Sequence, residues 1–369
     1  MKAPPFRAEH IGSLLRPASL LDLRRRHAAG AVKDAELRAA EDAAIRDAVA
    51  MQERVGLRVV TDGEFRRHSY HSYFFAQLGD IRPDYVPGDN GGGIAMTPRR
   101  APQPIARING RVGWTKPIHV EDFKFLKSLT KQMPKITIPG PCALHFRGGD
   151  KAVLASAYKE TQTFWADIVD AFRKELAALA EAGCAYVQMD ETAFAKFGDP
   201  EVQASLAARG DHWSDLIDRY IEVTNEVLKG VTSPTVGMHL CRGNRAGQFH
   251  SEGGYDVVAE RLFNKLDIDI FFLEYDSERA GDFSPLRHVP KDKHVVLGLV
   301  STKTGDMETK DALKRKVEGA TKYVDLERLS ISPQCGFASV DLGNPLSAQA
   351  QEDKLRLVVE TAKEIWGEA

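Results

Sequence analysis

Few cysteines, no long apolar run and no surplus of charge of either sign exclude much of what a 369-residue chain can be. Four cysteines are too few for a disulfide scaffold at this length, so the thiols are available as free groups or metal ligands. Nowhere do about 18 apolar residues run consecutively, which excludes a membrane-spanning helix. The start MKAPPFRAEH has no apolar core of signal-peptide length, so the cytoplasm is the expected location. With 50 basic against 52 acidic residues, no field of one sign recruits nucleic acid or an anionic membrane. What the chain does have is core material: 43% of its residues are hydrophobic, enough for one large domain or two ordinary ones.

Eight short runs rich in β-branched and apolar residues alternate with longer helical patterns, the signature of repeated βα units around a parallel sheet. The runs lie at 6 to 12, 57 to 62, 135 to 140, 185 to 190, 235 to 240, 268 to 275, 294 to 300 and 328 to 333. Helices are predicted near 34 to 55, 155 to 182, 212 to 229, 308 to 323 and 347 to 366. Eight such units predict an α/β fold, a (β/α)8 TIM barrel spanning residues 1 to 369 as a single domain, with function at the carboxyl ends of the strands. One segment breaks the alternation. Residues 82 to 117, between the second and third strands, are dense in Pro, Gly and Arg and read as an extended insertion with a hairpin turning at Asn109-Gly110, placed to act as a lid. Its GDNGGG is not a phosphate loop, because it lacks the Gly-Lys-Ser/Thr ending and a preceding strand.

Metal-binding residue types stand at three strand ends. In TVGMHLCRG, alternation sends His239 and Cys241 to the same side. DIDIFFLEY supplies Glu274 and LSISPQCGF supplies Cys335. One nitrogen, two sulfurs and one carboxylate oxygen suit a tetrahedral zinc ion better than calcium or magnesium. Ser13, Asp62, Glu64, Asp190 and Glu191 fall at the ends of other strands, where polarity alone is ordinary.

These residues, with HIGS near the start, VVTDGEFRR, the PGP of Pro139 to Pro141, VQMDE, HLC, LEYDSERAGDF and SPQCGF, resemble the catalytic half of cobalamin-independent methionine synthase. The resemblance implies a zinc-dependent barrel that methylates the thiol of homocysteine. It implies His239, Cys241, Glu274 and Cys335 as zinc ligands, and Ile11, Ser13, Glu64 and Asp190 as contacts of the amino-acid substrate. Zinc would hold the substrate sulfur as a thiolate at neutral pH, with Glu274 as the ligand expected to loosen. The chain departs from that family in three ways. It has the length of one barrel where the full-length family has two, it has Arg147 where the family stacks the pterin on a Trp, and it has Val300 where the family places a proton-donating His. His68 and His71, in RRHSYHSYF, are offered in place of that acid. The donor is expected to be methyltetrahydrofolate or a methylcobalamin (corrinoid) protein, and a homo-oligomer is compatible with the sequence. A barrel that joins a coenzyme thiol to an epoxide, a non-catalytic zinc- or thiol-binding barrel, and the metal-free tetrapyrrole decarboxylases of the sister fold are the competing readings.

Overall fold

Ten strands form, most of them short apolar runs: β1 (Val59–Val60), β2 (Gly79–Asp84), β3 (Ile105–Val112), β4 (Met133–Pro134), β5 (Ile136–Pro139), β6 (Tyr186–Asp190), β7 (Thr235–Leu240), β8 (Ile270–Glu274), β9 (His294–Val300) and β10 (Leu329–Pro333). The computed structural model describes residues 5–84 and 105–369. Strands β5 to β10 form one parallel sheet in sequential order, and β1 pairs in parallel with β4, which leads directly into β5. The chain at residues 7 to 9 closes the ring against β10: Ile331 N donates to Arg7 O at 3.0 Å and Glu9 N to Ile331 O at 2.9 Å. The result is an α/β barrel of eight staves, the (β/α)8 TIM fold.

The first two staves are less regular than their sequence predicts. The run at 6 to 12 contributes a single bridge, Ala8 to Ile331, and the run at 57 to 62 only two paired residues. The reason lies in who takes the backbone acceptors. Lys135 Nζ donates to His10 O, Gln188 Nε2 to Ile11 O and Thr61 Oγ1 to Gly12 O, at 2.5, 2.7 and 2.7 Å. Side chains thus satisfy carbonyls that a neighbouring strand would otherwise pair.

The five predicted helices form as Asp34–Val55, Thr161–Glu181, Trp213–Leu228, Lys310–Ala320 and Ala348–Trp366. Trp213–Leu228 shows why: Leu216, Ile217, Tyr220, Ile221, Thr224 and Val227 recur at helical spacing and are all buried. Each fully buried aliphatic side chain of this kind contributes roughly 1.5–3 kcal/mol. Val120–Leu129, Pro200–Arg209 and Asp256–Lys265 are further helices that the sequence reading left unassigned.

The insertion between the second and third staves begins and ends as an antiparallel pair, β2 with β3. Asn109 and Gly110 lie inside β3 and do not turn, because the ladder runs on past them to Val112, opposite Gly79, with Ile108 and Val112 buried. An Asn-Gly turn needs positive φ at both residues, and neither has it. GDNGGG and the tip of the insertion lie outside the described residues.

Inside the ring, Phe6, Ile11, Val59, Met133, Tyr186, Ile270, Phe272 and Val296 pack as one cluster. Below the mouth a polar group is buried among them. Lys135 Nζ meets Glu9 Oε2 at 3.1 Å and Gln188 Oε1 at 2.9 Å, and Tyr186 OH donates to Glu9 Oε1 at 3.0 Å. Tyr186, Gln188 and Asp190 alternate along β6, so one strand carries the column from floor to mouth.

Candidate active site

At the carboxyl end of β7 the pleat turns His239 inward, and Cys241 follows just past the strand. Cys335 arrives from the turn after β10. The three offer donor atoms within 4.8 Å of one another, all buried, and the two Sγ atoms are 3.9 Å apart. Both ring nitrogens of His239 are buried, and neither has a hydrogen-bond partner apart from the Cys241 thiol beside the ring. An orphaned polar atom of this kind costs about 1–3 kcal/mol, which a bond to a metal ion would offset. An imidazole and two thiols fit zinc.

Glu274, the fourth predicted ligand, is not brought into that set. Its carboxylate, at the end of β8, accepts from Arg279 Nη2, from Lys303 Nζ at 3.2 Å and from the backbone N of Arg242 at 2.7 Å. Burial pushes this carboxyl upward, but Lys303, Arg279 and Arg242 outweigh it and hold Glu274 well below the usual carboxylate range. Lys303 also pairs with Asp276 at 3.2 Å. Arg279 and Lys303 escaped the sequence reading; the acidic run LEYDSE, beside strand-end cations, was their one signal.

The predicted substrate contacts converge across the mouth. One cavity, partly open to solvent, is lined by Ile11, Ser13, Glu64 and Asp190 together with His239, Cys241 and Cys335. Glu64 has φ 60°, a left-handed conformation that costs a non-glycine residue roughly 1–2 kcal/mol, and it follows Gly63 at φ 65°. Its backbone N donates to Asp62 Oδ1 at 2.9 Å. Thr137 Oγ1 donates to Glu64 Oε1 at 2.8 Å and itself accepts from Arg67 Nη1 at 2.9 Å, which leaves Oε2 buried and unpartnered. Asp190 Oδ1 accepts from Gln188 Nε2 at 2.7 Å. Burial, opposed by His239 and reinforced by the Glu64 charge, raises Asp190 to about 7. Ser13 sits so close to Gly336 that a Cβ there would lie 1.9 Å from Ser13 Oγ, so only glycine fits. Ile11 lends its side chain to the cavity wall while its carbonyl is taken by Gln188.

The two histidines of RRHSYHSYF part company. His68 is exposed and its Nδ1 pairs with Asp341 at 2.5 Å, away from the cavity lining. His71 does line the cavity, 2.9 Å from Arg147 Nη1. Burial, with the charges of Arg147 and Lys196, drives His71 well below its ordinary value, so the neutral ring is favoured and one of its nitrogens accepts from Arg147. Arg147 also donates to Tyr70 OH at 3.0 Å. Val300 is buried at the end of β9, and Lys303 of the following loop reaches Glu274 rather than the cavity lining. Lys196, also missed, lines the same cavity from the short helix Ala193–Lys196.

From residue 6 to residue 364 the chain matches the family described as the catalytic domain of cobalamin-independent synthase. It is 39% identical to the Bacillus subtilis protein YxjG, over 99% of this chain and 96% of that one. It is 24% identical to a 5-methyltetrahydropteroyltriglutamate–homocysteine methyltransferase of Lactiplantibacillus plantarum, over 92% of this chain and 40% of that longer protein. Among solved structures, a Listeria monocytogenes protein described as a vitamin-B12-independent methionine synthase superposes with a TM-score of 0.77 at 33% identity, each chain covered completely.

Proposed function

Given that the chain belongs to the cobalamin-independent synthase family and is a methyltransferase, we propose that it moves a methyl group from a methylated folate to the sulfur of homocysteine, giving methionine, in the cytoplasm. The family description removes one expected donor: a cobalamin-independent synthase does not draw its methyl group from a methylcobalamin protein. The observation that carries the reading is the buried His239, Cys241 and Cys335 set, whose imidazole meets no partner but Cys241, lining one cavity together with Glu64 and Asp190.

His239, Cys241 and Cys335 would hold zinc, three protein ligands being the number that catalytic zinc sites use when they keep a position open. When bound, that ion lowers the pKa of a thiol enough to make it a thiolate nucleophile at neutral pH. Glu274 stands on the neighbouring strand as a displaceable fourth donor, held in this structure by Arg279, Lys303 and the Arg242 N–H. Asp190 and the free Oε2 of Glu64 receive the substrate ammonium as charge-assisted acceptors. Thr137 and Arg67 fix the other Glu64 oxygen and so aim the free one. With the amino acid anchored and its thiol proton released to solvent, its sulfur faces the donor: the S–CH3 bond forms as the donor's N–CH3 bond breaks, and the electron pair goes to that nitrogen, which takes up one proton from solvent in exchange for the one the thiol lost.

Metal analysis and zinc-edge X-ray absorption test this. The purified protein is expected to hold one zinc, to gain a sulfur neighbour on addition of homocysteine, and to form methionine from methyltetrahydrofolate. Undiminished turnover by zinc-free protein would overturn the reading.

A further inference from the structure

We propose that Arg147 and Lys196 form an oxyanion subsite in the donor half of the cavity, and that the methyl donor carries a carboxylate or phosphate group seated on them. This rests on the methyl-transfer reading and adds the residues that hold an anionic group of the donor.

Lys196 is 2% exposed and lines the cavity. Among the described residues it makes no hydrogen bond and no ion pair; its ammonium lies 5.5 Å from the centroid of the Phe146 ring. Arg147 is 7% exposed, lines the same cavity and has only neutral partners, His71 and Tyr70. The nearby carboxylate, Glu191, does not close the account. Its oxygens accept from the backbone N of Cys142 at 3.2 Å and of Ala193 at 3.0 Å, and neither cation is within ion-pair distance of an acidic side chain of the described residues.

Two buried cations facing one cavity without a paired carboxylate are expensive, because burial strips their hydration and each repels the other. Burial and the neighbouring Arg147 accordingly push Lys196 down to about 7. A ligand oxyanion removes both penalties. A planar guanidinium fork beside a single ammonium suits a carboxylate or a phosphate, each of which offers several acceptor oxygens to several donors. A neutral ring stacked on an aromatic face would call for neither charge.

The test uses zinc-loaded full-length protein and calorimetric titration with inorganic phosphate, with acetate and, separately, with homocysteine. The wild type is expected to bind at least one of the two anions; tighter acetate fits the carboxylates of a folate donor, whereas tighter phosphate points to a phosphorylated donor in its place. Lys196→Met and Arg147→Gln should each weaken the anion by about tenfold or more, while Lys196→Arg restores it. The homocysteine titration should be unchanged in all three variants. If the wild type binds neither anion, or both charge-removing variants bind as tightly as the wild type, the subsite is refuted. Loss of homocysteine binding in the wild type would instead refute the methyl-transfer reading and leave the anion result standing. Should Lys196→Met fail to fold, Arg147→Gln and Lys196→Arg still decide the matter.

Discussion

Lys135 and Lys196 are both buried lysines lying against a phenylalanine ring in the same barrel, and they differ in almost everything else. Lys135, 4.8 Å from the Phe272 ring centroid, has Glu9, Gln188 and the His10 carbonyl as acceptors. Lys196 has none among the described residues. The same division separates the two ends of the barrel. At the floor, Glu9, Lys135, Tyr186 and Gln188 satisfy one another; at the mouth, His239, Glu64 and Asp62 each keep a buried polar atom without a partner. A closed network specifies structure, whereas an open one of the same residue types is held in readiness for a ligand.

Substitutions at the two ends should therefore fail in different ways. Cys241→Ser should lower turnover on the order of a thousandfold, about 4 kcal/mol of transition-state stabilisation, with zinc lost and the fold retained. Metal analysis and circular dichroism check it together, and a zinc-replete, active variant would break the comparison from the mouth side. Lys135→Met should do the reverse, destabilising the fold by about 3–5 kcal/mol because Glu9 is left as an uncompensated buried charge. Denaturant unfolding measures that, and an unaltered midpoint would break the comparison from the floor side.

Asp190→Asn should weaken norleucine, an amino acid without a thiol, by about 10- to 100-fold while leaving stability intact. The pH dependence has a definite sign. Since Asp190 is raised to about 7, norleucine affinity in the wild type should be full above that value and fall as the pH drops through it, because a neutral carboxyl no longer pairs with the ammonium. Calorimetry between pH 6 and pH 8, as about a unit either side, should show this slope in the wild type and none in Asp190→Asn.

The staves from β5 to β10 were legible because each is a short run rich in apolar and β-branched residues set between helical patterns, and the His239 and Cys241 pair because period-two alternation needs no tertiary knowledge. The first two staves were only half legible. Their carbonyls are satisfied by Lys135, Gln188 and Thr61, and no local pattern announces a partner 125 or 177 residues away. Glu274 shows the same limit. Its strand-end position was readable, but its capture by Arg279 and Lys303 depends on how two loops fold back over β8. Lys196, in the unremarkable run AFAKFGD, becomes informative only once its lack of an acidic partner is seen.

Gln188 gives the floor a voice in the chemistry of the mouth. An ammonium can only donate, so Lys135 obliges the amide to present its oxygen downward and its NH2 group upward, to the Ile11 carbonyl and Asp190 Oδ1. The amide thus behaves as a one-way valve for hydrogen-bond polarity. Without Lys135 only the Ile11 carbonyl and Asp190 hold the amide's direction, and its downward oxygen loses its donor. A residue no substrate touches thus backs, from the opposite end of the barrel, the amide that meets Asp190.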